Sequence, residues 1–521
     1  MKSESTLHPN PSSDSAPPRF RSVLVRIAIF VYAAACFSYI TADPDLWGHV
    51  KFGGEIWASG SLPATDRYSY TADGLPWINH EWLAEVLFYL IYTAWDSTGL
   101  LVFKLIVGLA IVHLLTRLYR DRERSEFVYL AYFLLLVPVL APGFMVRPHL
   151  LTYFFLTLLL FMLRRFFDGN RRALVWTPLL MLVWVNCHGG VVAGLGIYGV
   201  AAGYETIRCR LTGENRWRPL AGYFALSCLA LLANPHGYEL WRFFYHSLSL
   251  PREISEWNPV ALWDTSYWQF KALALLALAA PWPADRDRLR EFIIILAAVY
   301  FGFKHQRHTV LAGIVMTPFL SRRLAEWARG IRRPGQMAAG GAFSPAHHAA
   351  LAVGLGLFVV FEVFFTFNQH RANDFKILVD PRVYPVYAVR FMQNNRLNGN
   401  ILVPFDWGEY VIWHLPGSRV SIDGRFRTVY PEKVIRANRA FSEGSAGRRV
   451  LLDEYPTDIV LIGKSLQNPR LPDAAGGWMR IYEDWNSMLF VRQTASPGAR
   501  PRKLHDSQWI YPAERPSYVF P

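Results

Sequence analysis

The stretch Ala42-Asp43-Pro44-Asp45-Leu46-Trp47-Gly48-His49, running on through many aromatic residues to Asn79-His80-Glu81-Trp82-Leu83-Ala84-Glu85, decides the reading of this chain. It sets two carboxylates one residue apart immediately after an apolar segment. Ionised groups at membrane depth are costly unless they face water or one another, so this is where a chain places acid, base or metal chemistry at a membrane surface.

Outward from that stretch the composition is that of a bilayer protein. The chain has 521 residues, 52% hydrophobic and only 18% charged, and many apolar runs approach the ~20 residues that cross a bilayer. The expected fold class is a polytopic α-helical membrane protein. A net charge of +14 in a soluble domain would point to nucleic acid. Here the arginines sit in short clusters between apolar runs, the topogenic bias of cytoplasmic loops, and no nucleic-acid partner is expected. Cys36, Cys187, Cys209 and Cys228 lie in or beside apolar segments without paired spacing, so no disulfide framework or zinc knuckle is expected. Residues 1–20 are Ser- and Pro-rich and read as a disordered cytoplasmic N-terminus. The first apolar run reads as a retained anchor.

Arg19, Arg21 and Arg26 place the start of the first span, Arg21 to Thr41, in the cytoplasm. Residues 42–82 then form the first external loop. Trp82 to Tyr119 is too long for one perpendicular crossing and is interrupted at Asp96, Ser97 and Gly99, which predicts an interfacial helix over Trp82–Thr93 and the second span over Leu100–Leu118. Further spans are expected over Phe127–Leu140, Leu150–Leu163, Ala173–Val185, Val191–Ile207, Leu220–Ala233, Tyr267–Ala280, Glu291–Phe303 and Val310–Leu320, with Arg clusters at every second turn. A Gly- and Ala-rich link, Gly335–Ala350, precedes a last span near Leu351–Phe367. That makes about eleven spans in a membrane domain of residues 21–367. The same assignment puts His49, His80, His149, His188, His236, His305 and His308 on one side. Singly, each is a capped helix end or an interfacial hydrogen bond; together they suggest a polar external cavity.

From Asn368 the chain is expected to be extracytoplasmic, and residues 368–494 have the composition of a soluble α/β domain. Helices are expected over Tyr384–Asn395, Pro431–Phe441 and Ser445–Tyr455. Strands are expected over Asn400–Phe405, Arg419–Ile422 and Asp458–Ile462, and a hairpin over Met479–Asp484 and Ser487–Arg492. No Gly-rich phosphate loop of the Walker or dinucleotide type is present. Residues 495–521 read as an irregular Pro- and Arg-rich tail.

Glycosyl transfer from a lipid phosphate needs a base for the acceptor proton, cations for the leaving phosphate, and a site that reaches the bilayer. Asp43 and Asp45 supply carboxylates at the right depth. In an extended segment their side chains point the same way and could share a proton or a divalent ion, Mg or Mn. The alternative is that Asp43 only caps the following helix. Candidate phosphate and substrate contacts are Arg147 and His149, His188 and His236, then Lys304, His305, Arg307 and His308. Interfacial snorkelling is the alternative for the cations. His80 and Glu81 head the interfacial helix, where Glu81 alternatively serves as a first-turn charge. Asp406-Trp407-Gly408-Glu409 and Asp423-Gly424-Arg425 sit at the ends of two predicted strands, where open α/β sheets place ligands. Turn chemistry with Asp423 pairing Arg425 is the alternative.

At these residues the chain resembles the GT-C superfamily of polytopic glycosyltransferases, which includes the protein O-mannosyltransferases and the aminoarabinose transferases of lipid A. The likeness lies in an acidic loop after the first span, an interfacial helix, about eleven spans and an external C-terminal domain. More specifically, Asp43-Pro-Asp-Leu-Trp with His49, His80-Glu-Trp-Leu, and Asp406-Trp-Gly-Glu-Tyr-Val-Ile-Trp with Asp423-Gly-Arg425 are similar to bacterial membrane proteins described as glycosyltransferase-like. The resemblance implies a polyprenyl-phosphate-linked sugar as donor, a glycan, lipid or protein acceptor, and inverting transfer at the outer face of a bacterial plasma membrane. It implies Asp43 as base, with Asp45 as partner or metal ligand; His49, His80 and Glu81 complete the candidate catalytic set. The His richness departs from the superfamily pattern, and the one acidic pair in a later loop is Glu253 with Glu256. Two other classes fit a polytopic chain. A transporter or flippase of a lipid-linked or anionic solute usually shows internal repeats with broken helices at the midplane, and no repeat is evident here. A scaffold for envelope polysaccharide assembly would tolerate loss of both Asp43 and Asp45.

Overall fold

Leu-, Val-, Phe- and Ala-rich runs with few charges fold as helices, because in hydrocarbon the backbone finds partners only within itself. The computed structural model describes residues 19–119, 126–215, 217–250, 254–280, 282, 288–331, 345–464, 477–493 and 518–520. The expectations for residues 1–18, the Arg120, Arg122 and Arg124 cluster, Glu253, most of the 335–350 link and most of the 495–521 tail lie outside the described residues.

The chain opens with α1 (Arg19–Phe37), α2 (Leu46–Ser59), α3 (Trp82–Leu118), α4 (Glu126–Leu140), α5 (His149–Phe167), α6 (Thr177–Val185) and α7 (Val191–Thr212). It continues through α8 (Trp217–Ala230), α9 (Tyr238–Ser249), α10 (Trp268–Ala279), α11 (Arg288–Lys304), α12 (His308–Ile331) and α13 (Pro345–Arg371). Among the described residues, four helical stretches are long and apolar enough to cross a membrane: Trp82–Leu118, Glu126–Gly143, His149–Phe167 and Ala352–Arg371. Shorter apolar helices cover Val23–Phe37, Trp268–Ala279 and His308–Ser321.

α3 breaks where the sequence interrupts its apolar run. Trp95 and Asp96 leave helical geometry, with Asp96 at a φ of 48°. The Asp96 carboxylate accepts the Thr98 N–H at 2.8 Å and pairs with Lys376, which offsets the left-handed backbone there. The polar break thus also ties α3 to the segment after α13.

The C-terminal part holds β1 (Leu378–Val379), α14 (Val386–Asn394), β2 (Asn400–Leu402), α15 (Gly408–His414), β3 (Arg419–Val420), α16 (Glu432–Glu443), α17 (Val450–Asp453), β4 (Ile459–Gly463), β5 (Trp478–Glu483), β6 (Ser487–Arg492) and β7 (Tyr518–Val519). One sheet has the order β3-β2-β4-β6-β5, parallel from β3 to β4 and antiparallel beyond. Every residue of β4 is buried, as a central strand covered on both faces requires. α17 is shorter than the helix expected over Ser445–Tyr455. Gly444 and Gly447 adopt left-handed φ of 68° and 87°, so the backbone turns there instead of coiling.

Two backbone pairings fasten the loop after α1 to this part. Thr41 bridges Leu378, with Ala42 N–H to Leu378 O and Leu378 N–H to Ile40 O both at 2.7 Å. Ser69 bridges Val420 on the open edge of β3, with Tyr70 N–H donating to Val420 O and Val420 N–H to Tyr68 O. The loop therefore adds itself to a sheet edge, and β1 is capped by β7 on its other side. Asp43 begins one residue after the first of these clamps.

Candidate active site

Asp43 is buried, and the chain from Asp43 to Asp45 is turned, not extended: Asp45 is helical and forms the N-cap of α2. The extended geometry expected for this pair is therefore corrected. Pro44 and the incoming helix make the Asp45 N–H fold back onto Asp43 Oδ1 at 3.0 Å, an Asx-type turn. What brings the two carboxylates together is Arg147, delivered by the turn between α4 and α5. Its Nε donates to Asp43 Oδ1, one terminal nitrogen lies 3.3 Å from Asp45 Oδ2, and the other donates to Glu256 Oε1 at 2.9 Å. One guanidinium thus faces three carboxylates from separate segments, a use of its planar fork that lysine lacks.

Glu256 lies in a short 3-10 turn, Ser255–Trp257, ahead of α10. The turn between α11 and α12 docks against it: Arg307 N–H donates to Glu256 O at 3.0 Å, and His305 Nδ1 meets Trp257 O at 2.7 Å. Arg307 sits 3.9 Å from Glu256 and stacks over Trp257 at 5.0 Å. His308 packs against Trp257 and His305 rings. Lys304 is exposed, over the Tyr300 ring.

A second cluster forms on the other flank of α2. His49 Nδ1 lies 3.4 Å from Glu85 Oε1, and Asn79 donates to Glu85 Oε2 at 2.6 Å. His236 Nε2 lies 3.1 Å from Asn79 O. Glu81, at the head of α3, has His188 Nε2 at 3.6 Å and His80 Nε2 at 3.7 Å. The His188 tautomer follows from its neighbours. Gly190 N–H donates to His188 Nδ1 at 2.9 Å, and Thr152, whose oxygen accepts from Trp184 Nε1, meets the same Nδ1 at 2.8 Å. Nδ1 is therefore the acceptor, and the proton on Nε2 faces Glu81. The His149 ring lies against His188 at 6.3 Å and meets Gly143 O at 3.1 Å.

Burial sets the protonation states. It pushes the Asp43 carboxyl up to about 6, against the pull of Arg147. It pushes Glu81 up to about 7, with His49 opposing. Burial works against the charged His49 ring, yet Glu85, Glu81 and Asp45 hold its pKa above the usual value. Burial drives His188 well below the usual value, helped by Arg307 and His149, so it stays neutral. Asp406 is raised by burial and by Asp45, which places it beside the same charges.

The C-terminal part contributes a carboxyl from the Asp406-Trp407-Gly408-Glu409 stretch, one that the sequence reading did not place beside the first-loop acids. Glu409, at the head of α15, is buried and accepts the Gly48 N–H at 2.9 Å. A Cβ on Gly48 would fall on that carboxyl, and one on Gly424 would fall on Asp45 Oδ1; glycine at both positions lets backbone approach the acids this closely. Burial, with Asp45 and Asp423, holds Glu409 well above the carboxylate range. Asp423 and Arg425 do not face this cluster as ligand groups. Arg425 pairs with Asp423 and Asp66, each at 2.6 Å, under the rings of Tyr68, Trp77 and Phe52 at 4.8 to 5.2 Å, and Tyr430 donates to Asp423 at 2.6 Å. These contacts bolt the first loop to the sheet.

Among the described residues, no three His, Cys, Asp or Glu side chains are placed to share a metal ion. At the Asp43 and Asp45 pair, where a divalent ion was an expectation, the guanidinium of Arg147 fills the space between the carboxylates. The residues present do not fit the ion.

The helical part, with turns that converge on this polar cluster, and the sheet-bearing C-terminal part have the fold of solved oligosaccharyltransferase structures. The solved structures the chain is similar to are those of the oligosaccharyltransferase of Archaeoglobus fulgidus. The apo form matches with a TM-score of 0.52 at 11% identity, covering 85% of this chain and 69% of that one. The archaeal oligosaccharyltransferase AglB from Archaeoglobus fulgidus in complex with an inhibitory peptide and a dolichol-phosphate matches at 0.50 and 10% identity with the same coverage. The form tethered to an acceptor peptide containing the NVT sequon matches at 0.50 and 11%. At such identity the likeness is one of fold. No protein family matches the chain, and no curated protein does.

Proposed function

We propose that the protein is a glycosyltransferase that moves a sugar from a polyprenyl-phosphate-linked donor to an acceptor, with Asp43 as general base. The observation that carries this is Asp43 itself. Its Oδ1 is occupied by Arg147 and the Asp45 N–H, while Oδ2 has no hydrogen bond among the described residues. A buried carboxylate with one oxygen committed, one available and a pKa of about 6 suits proton abstraction near neutral pH.

In the proposed reaction the acceptor nucleophile gives its proton to Asp43 Oδ2 as it forms the bond to the anomeric carbon. The bond from that carbon to the phosphate oxygen breaks on the opposite face, inverting the centre, and the electron pair leaves with the lipid phosphate. Arg307, with Lys304, His305 and His308 on the same turn, is the cation set for that phosphate, since Arg147 is committed to carboxylates. Glu81 with His80 and His188, and His49 with Glu85, form a second proton-holding group for the sugar hydroxyls, with Asp406 at the rim.

The same reading takes the chain as a bacterial inner-membrane protein of about eleven spans. Its N-terminus is cytoplasmic, residues 21–367 form the membrane domain, and residues 368–494 form an extracytoplasmic domain. The sugar is a hexose or pentose, and the acceptor a glycan, lipid or protein. Complexes of the fold neighbour with a peptide and a dolichol-phosphate support a lipid donor and an external acceptor by analogy. Purified protein in liposomes, offered a panel of radiolabelled polyprenyl-phosphate sugars, should move label off the lipid. No movement with any donor would favour a transporter or scaffold.

A further inference from the structure

We infer that the site works without a divalent cation, because the side chain of Arg147 permanently occupies the place between the acids that such an ion would take. The inference deepens the glycosyltransferase reading, but its test needs no turnover.

Each nitrogen of the Arg147 guanidinium is assigned to a different carboxylate: Nε to Asp43, and the terminal nitrogens to Asp45 and Glu256. These acids come from the loop after α1 and from the turn before α10. A hard divalent ion binds oxygens at about 2.0–2.6 Å and needs at least two carboxylate oxygens converging on one point. Here the point of convergence is a side chain whose charge cannot be removed by deprotonation. Arg307 lies 3.9 Å from Glu256 on the far side, so the three acids already face two arginines.

Arg147 is then a positioning residue. Its bond to Oδ1 fixes the rotamer of Asp43 and leaves Oδ2 to accept the proton. By staying charged it keeps the buried carboxylate from rising further out of the working range.

The test is a Mn²⁺ titration of the full-length chain in detergent after chelation, read by the EPR signal of free aqueous Mn²⁺ and by thermal unfolding with and without the ion. Wild type should leave Mn²⁺ free and unfold at the same temperature in either condition. Arg147→Gln, which keeps all three carboxylates and loses the cation, should take up one Mn²⁺ per chain, and Asp45→Asn in that background should abolish the uptake. Wild-type binding of one Mn²⁺ that Asp45→Asn removes would overturn the inference, as would a folded Arg147→Gln that binds none. If Arg147→Gln does not fold, the wild-type titration decides alone. An enzyme inactive with every sugar lipid gives the same titration, so failure of the functional reading and failure of this one are separable.

Discussion

Gly424→Ala perturbs the candidate site without adding or removing a charge. Gly424 lies outside the left-handed region, so alanine is allowed by the backbone and the effect is purely steric. The new Cβ would fall on Asp45 Oδ1 and lie 2.8 Å from Glu409 Oε1, where real Cβ contacts stay beyond 3.0 Å. Glu409 is anchored by the Gly48 N–H, so Asp45 is the group that retreats. A displacement of about 1 Å near reacting groups costs about 100-fold in rate, and Asp45 passes it to Asp43 through the shared Arg147. The overpacking itself costs about 1–3 kcal/mol, readable as a lowered unfolding temperature. The assay is turnover in proteoliposomes alongside thermal unfolding in detergent. Wild-type turnover from a folded Gly424→Ala protein would refute the claim that the C-terminal part sets the position of the first-loop acids.

Other substitutions probe separate links. Arg425→Met leaves Asp66 and Asp423 buried without their cation. The cost should be about 3–5 kcal/mol, seen as a large drop in unfolding temperature that Asp423→Asn partly restores in the double variant. Burial disfavours the charged form of Glu409, and Glu409→Gln puts an isosteric neutral group in its place. It should keep turnover and stability near wild type, whereas Glu409→Ala should lose both. The rate should rise with pH through an apparent pKa of about 6, since protonated Asp43 accepts nothing. Below that value turnover should fall about tenfold per pH unit. The same raised pKa has the opposite sign for stability: burial disfavours the charge, so this group's contribution weakens as pH rises from about 4, its unfolded value, toward its folded value. A flat pH–rate profile would remove Asp43 from the base role.

Much of the fold was readable because its signals are local. Apolar runs ending in Arg clusters located most of the helices, but α12 runs past the expected Leu320 to Ile331, and α9 lies in a stretch read as an external loop. The Asp96-Ser97 interruption located the break in α3, and short apolar runs bounded by turn residues located β2, β4, β5 and β6. The first-loop acids stood out because Asp-Pro-Asp follows an apolar span at once. What was not readable depends on distant chain segments meeting. Arg147 reads as a phosphate clamp until Glu256 and Asp43 are seen around it. Asp66 carries no signal until Arg425 reaches it, and the pairing of Ser69 with Val420 is a long-range choice that no local pattern encodes. Asp423 and Arg425 were legible as a pair. Whether they serve a ligand or the fold turned on the aromatic rings that enclose them.

The central claim is that Asp43 takes the acceptor proton in transfer from a lipid-linked sugar. Its most direct measurement compares wild type with Asp43→Asn in the same proteoliposomes, with a polyprenyl-phosphate sugar that wild type turns over. Unfolding temperature serves as the check that both proteins are folded. Loss of a general base predicts a fall of about 10²–10⁴-fold in turnover, with folding preserved. Equal turnover in the two proteins would contradict the account.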